Sequence, residues 1–206
     1  MSGRAEAGRP YDGDAPVTSA EKIRLGQPWP GATGVFTRTS VRVTWTSDSV
    51  RVSADLEDAD VFTSAPGDSC RLWEMGDVFE MFFQAENAGY YVEMHVAPGN
   101  QRLHLRIPIA GGPGPQRKDV APENFFVDPP RFSSRTARTA VGWTVDATVP
   151  CCEVSGRAAI TPGERWLVSF CRYDAWSDSR PPVLSSSSPH AEPNFHRRHE
   201  WRSLCF

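Results

Sequence analysis

No run in this 206-residue chain reaches the ~18–20 apolar residues of a membrane span, and its first residues, "MSGRAEAGRPYDGDAP", lack the apolar stretch of a signal peptide. Membrane insertion and export are therefore not expected, and the chain as given reads as cytoplasmic. An excess of one charge sign is also missing. The net charge is −3, with neither a basic stripe nor an acidic tail, so nucleic acid is not an expected partner. The five cysteines (Cys70, Cys151, Cys152, Cys171 and Cys205) are odd in number and without CxxC spacing, which argues against a zinc site or a disulfide framework. The adjacent Cys151 and Cys152 cannot easily close an unstrained disulfide, so reduced, packing thiols are expected. Sustained helical periodicity is scarce as well.

Period-2 alternation is present instead, over and over. "VRVTWT" (41–46) and "VRVSADL" (50–56), separated by "SDS", predict a hairpin with Val41, Val43 and Trp45 on one side and Val50, Val52, Ala54 and Leu56 aligned likewise. "VFEMFFQ" (78–84), "YYVEMHVA" (90–97) and "RLHLRIP" (102–108) predict a meander, joined by turns rich in Gly, Asn and Pro. Strands resume at "SRTARTAV", "WTVDATVP" and "RWLVSFCRYD", and the last apolar run is "WRSLCF". The Gly- and Pro-rich 110–124 and the apolar-poor 177–200 predict loops, the latter crossing the end of the sandwich. The expected architecture is all-β: an antiparallel two-sheet β-sandwich of jelly-roll or immunoglobulin-like type. One domain is expected over 16–206, behind a poorly packed segment 1–15.

Each strand of the meander has an apolar face and a charged one. Phe79, Met81 and Phe83 are expected in the core, opposite Val78, Glu80 and Phe82. Val92, Met94 and Val96 oppose Glu93 and His95, while Leu103, Leu105 and Ile107 oppose Arg102, His104 and Arg106. If the polar faces coincide, they line one side of a sheet. Two readings of that side stand: a solvated face with cross-strand ion pairs, or the floor of a binding groove. Trp73, just before the strand, is either a rim residue of the core or a ring lying over such a groove. Apolar sugar faces stack on aromatic rings while hydroxyls bridge to carboxylates and guanidinium groups, which makes the second reading a sugar site.

In order, "VRVTWTSDSVRVSADLEDADV", "LWEMGDVFEMFF", "YYVEMHVAPGNQRLHLRIP", "GWTVDATVP", "PGERWLVSFCRYD" and "PNFHRRHEWRSLCF" span about residues 38–206. Together they make the chain resemble the family 9 carbohydrate-binding modules and related proteins of the DOMON-like superfamily. The resemblance implies a sandwich whose sugar site lies on the face of one sheet, where two tryptophans clasp a terminal sugar and polar side chains read its hydroxyls. Trp73 matches the first tryptophan, Asp77 and Glu80 match the ends of an Asp-x-x-Glu segment, and His95 falls near a polar groove position. Ser186 stands where the second tryptophan belongs, leaving Trp176 or Phe195 to supply the other ring. Glu80, Glu93, His95 and Arg102 are the candidate hydroxyl readers.

Other chemistry is less well supported by the residues. Glu80 and Glu93, close together on one sheet, do not flank a scissile bond as a glycosidase pair must, so no catalysis is expected. "HRRH" (196–199) lacks a metal-ligand set and reads as a charged turn pinning the last strand. No cofactor is expected. Some relatives hold structural calcium, for which "EDAD" (57–60) is the candidate source of oxygen ligands, and some bind haem, for which Met81, Met94, His95 and His104 are the candidates. A sandwich that serves protein interaction without sugar binding is the remaining alternative. The sequence carries no signal of oligomeric state.

Overall fold

The computed structural model describes residues 22–109, 120–178 and 180–206. The expected poorly packed segment 1–15 and most of the Gly- and Pro-rich loop lie outside the described residues. Two antiparallel sheets pack face to face. One has the order β1 (Lys22–Arg24), β2 (Thr39–Trp45), β3 (Ser49–Glu57), β8 (Gly142–Pro150), β7 (Ser133–Thr139). The other runs β10 (Val183–Ser186), β9 (Arg165–Asp174), β4 (Val78–Ala85), β5 (Tyr90–Val96), β6 (Arg102–Pro108). A final strand, β11 (Arg202–Cys205), shares the free edge of β9 with β10. The all-β sandwich expected from the alternation is the observed fold.

The five-stranded sheet follows the rule that a half-buried strand alternates. In β3 the valines 50 and 52, Ala54 and Leu56 are buried while Arg51, Ser53 and Asp55 are exposed, and β8 repeats the pattern with Trp143, Val145, Ala147 and Val149. These side chains meet Phe79, Met81, Phe83, Val92, Met94, Val96, Trp166, Val168 and Phe170 from the other sheet, which form the main core as expected. Met81 and Met94 have no exposure and fill this core, whereas His95 is on the opposite face of its strand. The four haem candidates are thus divided between the two faces of the sheet, with His104 on the side of Met94.

The six-stranded sheet differs, because its outer face is buried too. All eight residues of β4 are buried, and a second apolar cluster forms outside it from Leu72, Phe82, Tyr91, Leu103, Leu105, Ile107, Phe195 and Trp201 among others. This second cluster overturns the expectation for β6. Cross-strand register sets Met94 against His104, Val96 against Arg102 and Val92 against Arg106, so the polar residues of β6 share the inner face and its leucines the outer one. Alternation identifies the residues that share a face, but not the face that is covered. Here Phe126 bridges to Leu105 on the free edge of β6, and Arg106 reaches Glu153 of the short helix α1 (Cys151–Ser155) at 2.8 Å.

Two short strands were not expected. β1 pairs with β2, and β10 lies inside what reads as a loop, paired with β9 through Ser185 opposite Arg172. The serines that follow are buried rather than solvated. Ser188 Oγ donates to Ser169 Oγ at 2.8 Å, and Ser187 Oγ accepts the Phe170 N–H at 2.8 Å. These bonds draw residues 187–190 onto the sheet and set the course of the chain that follows.

Candidate functional site

β4 and β5 bring three ionisable side chains together on the outer face of the six-stranded sheet. Register places Glu80 opposite His95 and Phe82 opposite Glu93. The imidazole of His95 lies between the two acids, Nδ1 at 3.5 Å from Glu80 Oε1 and Nε2 at 3.4 Å from Glu93 Oε2. Beyond Glu93 the chain of groups continues to His196, whose Nδ1 is 2.9 Å from Glu93 Oε1 and 3.1 Å from the Tyr91 hydroxyl. Glu80, Glu93 and His95 are only 3%, 3% and 2% exposed, and neither nitrogen of His95 has a well-aligned hydrogen bond. Buried polar atoms in that state have hydrogen-bonding capacity to give to a ligand.

Burial and neighbours push the two carboxylates apart. Burial raises Glu80 to about 7, and the nearby His95 only partly opposes it. Glu93 is equally buried, but His196 and His95 on either side outweigh that effect and hold it at about 2. Burial disfavours charge on both histidines as well, yet Glu80 and Glu93 prevail at His95, and Glu93 prevails at His196, so both are raised. Near neutrality the floor therefore offers an ionised Glu93 between two histidines whose protonated forms it favours, and a Glu80 balanced between its two forms.

Aromatic rings enclose this floor. Trp73 sits on a single 3-10 turn (Leu72–Glu74), partly buried, its ring edge-on to His95 with centroids 5.7 Å apart. Facing the same space are Tyr173 from β9 and Phe195 from the 187–201 segment, their rings 5.8 Å apart and nearly perpendicular. Leu105, Pro122, Pro193, Asn194 and His196 complete a cavity of about 430 Å³. That size falls within the ~300–1,000 Å³ of small-molecule sites, as does the mixture of apolar walls with a few convergent polar groups.

The structure brings Trp73, Glu80, Glu93, His95 and Phe195 into one cavity and leaves the other candidates outside it. Arg102 is on the opposite face of β6, donating through Nη2 to Asp68 at 2.7 Å and through Nη1 to the Phe132 carbonyl at 3.0 Å. Asp77 is wholly buried and serves as an anchor, accepting the Phe62 and Ala175 N–H groups at 2.6 and 2.8 Å. Burial, with Asp58 close by, raises it to about 7. Trp176 does not line the cavity and carries the Arg180 guanidinium 3.8 Å from its ring centre. Ser186 is fully buried, its hydroxyl within 3.3 Å of Ser169 Oγ.

Comparison with solved structures now bears on this geometry. A candidate carbohydrate-binding protein of Bacteroides uniformis superposes with a TM-score of 0.71 at 17% identity, covering 90% of this chain and 86% of that one. A carbohydrate-binding module of family 9 from Caldicellulosiruptor kristjanssonii, in complex with glucose, superposes with a TM-score of 0.61 at 14% identity, covering 97% and 91%. A structure of such a module from the same organism with cellotriose gives 0.60 at 13% identity, covering 97% and 89%. The fold is that of the family 9 carbohydrate-binding modules. No family model matches the sequence, and no curated protein matches it significantly.

Within this family 9 fold, sequence reasoning missed Tyr173, Asn194 and His196. Tyr173 was within reach of alternation, since it shares a β9 face with Cys171 and Ser169, which are opposite Glu80 and Phe82. His196 and Asn194 come from a segment without periodicity, whose approach to the sheet depends on the buried serines before it. The acidic turn 57–60 contributes to one further cluster. Asp58, Asp77 and Asp174 are the one grouping of three potential metal ligands among the described residues, all within 4.8 Å. Arg172 already supplies a cation there, with Nη2 at 2.9 Å from Asp58 and 2.8 Å from Asp174.

Proposed function

We propose that this chain is a non-catalytic carbohydrate-binding module that holds one end of a mono- or oligosaccharide between Trp73 and Phe195. The supporting observation is the cavity itself: three aromatic rings around a buried Glu80–His95–Glu93 floor, on the face of a sheet in a family 9 fold. Trp73 and Phe195 are the stacking surfaces, and Phe195 supplies the ring that Ser186 cannot. Glu80 and His95, whose ring nitrogens have no well-aligned hydrogen bond, read hydroxyls. The glucose and cellotriose carried by the C. kristjanssonii modules set the ligand scale. The same floor argues against glycoside hydrolysis, because His95 occupies the space between the two carboxylates where a scissile bond would have to lie.

Calorimetric titration with a panel of mono- and disaccharides tests the proposal. At least one sugar should release heat, and Trp73→Ala should weaken it roughly 10- to 100-fold, by analogy with the ~1–3 kcal/mol of a base stacked on an aromatic ring. No heat from any sugar, or an unchanged affinity in the variant, overturns it. The second reading, a sandwich that has lost its sugar site and serves a protein partner, draws on the near-complete burial of Glu80 and Glu93 beneath the chain's own 187–201 segment. A negative titration across the whole panel is the result that favours it.

A further inference from the structure

We infer that the groove continues into a second, cationic subsite, which takes the anionic group of an acidic saccharide. This rests on the carbohydrate reading and extends it. A cavity of about 410 Å³ lies beside the first, with Gln84 and Leu167 of the sheet as its floor and Asn194 and residues 196–199, "HRRH", around it. Asn194 and His196 line both cavities. The first has two carboxylates in its lining; the second has none, and instead gathers His196, Arg197, Arg198 and His199.

These four basic side chains are not equivalent. Arg197 is held by Glu200, with Nε and Nη2 each at 2.7 Å, and by Glu192 at 3.1 Å. His196 faces Glu93, and His199, largely exposed, is 3.6 Å from Glu200 Oε1. Arg198 alone of the four has no carboxylate partner among the described residues. Its Nη1 donates to Gln84 Oε1 at 2.8 Å and its guanidinium is 5.8 Å from the centre of the Tyr91 ring, contacts that fix the group without neutralising it. A planar guanidinium with donors to spare pairs in bidentate fashion with carboxylate, sulfate or phosphate oxygens, which is the chemistry that separates acidic saccharides from neutral ones. Glu80 and Gln84 mark the two floors four residues apart on β4, about 13 Å at ~3.3 Å per residue. The anion therefore belongs to a sugar unit beyond the one stacked on Trp73.

Titrations of the full chain with a neutral disaccharide, the corresponding aldobiouronic acid and a sulfated disaccharide test this. One of the two anionic sugars should bind roughly tenfold more tightly than the neutral one, the scale of a charge-assisted hydrogen-bond pair, and the preferred anion identifies the source. That ratio should shrink in salt of about 0.5 M and fall towards one in Arg198→Gln, with His199→Gln giving a smaller decrease at an exposed position. Equal affinities for all three sugars overturn the subsite while leaving the neutral-sugar site standing, as does a preference that survives in both variants. Silence from every sugar overturns the carbohydrate reading and this subsite with it.

Discussion

Glu80 imposes a stability cost that grows with pH. Its folded value near 7 is above its ordinary 4.5, so between those values the unfolded chain ionises while the folded one stays protonated, and folding becomes less favourable as pH rises. The shift corresponds to at most about 3 kcal/mol, nearly all of it present by about pH 8. Glu80→Gln should therefore melt several degrees higher than the parent at about pH 8, at ~2–4 °C per kcal/mol, with the gain much smaller at about pH 5. Thermal melts at the two pH values check this, and a loss of stability at both would show that Glu80 holds the floor together. The same variant should bind its sugar more weakly, a trade of function for stability. Glu93 has the opposite sign: its stabilisation is complete above the ordinary 4.5 and is lost as pH falls towards about 2. Both acids and His95 were legible from alternation alone, because they stand on neighbouring strands with an unambiguous apolar face. What alternation could not give was their charge state, which depends on His196 arriving from a distant segment.

Among the elements, β6 shows where such reading stops. Its pattern is as regular as that of β4, yet its faces are inverted, since the covering layer outside the sheet draws the leucines outwards. His104 is left buried on the inner side with its ring edge-on to Phe132, and burial, with Arg106 and Arg131 nearby, lowers it to about 4. As pH falls below the ordinary 6.5, the unfolded chain takes up a proton that folded His104 refuses, and stability drains away until about 4. His104→Gln should flatten that part of the pH–stability curve, measured by denaturant melts between about pH 7 and pH 4. The turn carrying Trp73 is held just as tightly. Gly76 has a φ of +141°, and a Cβ there would lie 2.5 Å from the Phe62 carbonyl oxygen. Gly76→Ala should cost more than about 2 kcal/mol by denaturant melt and weaken sugar binding through displacement of the Trp73 turn.

At the scale of the molecule, the two sheets are joined at one end by charge as well as by packing. Arg172 of β9 is fully buried and reaches across to Thr39 Oγ1 at 3.2 Å and the Glu57 carbonyl at 2.6 Å, as well as to Asp58 and Asp174. Removing it strands buried carboxylates, which typically costs ~3–5 kcal/mol. Arg172→Met should lower Tm by roughly 6–20 °C, read by calorimetry. The sandwich itself could be read from the strands between 41 and 174, whose periods are strong. The segment from 177 onwards could not, because β10 and the serines after it owe their position to partners on β9 rather than to any local pattern.

The cavity thus has two parts of very different freedom. Its floor lies on β4 and β5, where every outward side chain alternates with one in the main core, so a change of backbone there disturbs both layers. Much of the opposite wall, with Phe195, Asn194 and His196, comes from one continuous stretch between β10 and β11. New ligand preferences can therefore evolve, or be engineered, by rewriting that single stretch while the scaffold beneath it is inherited unchanged.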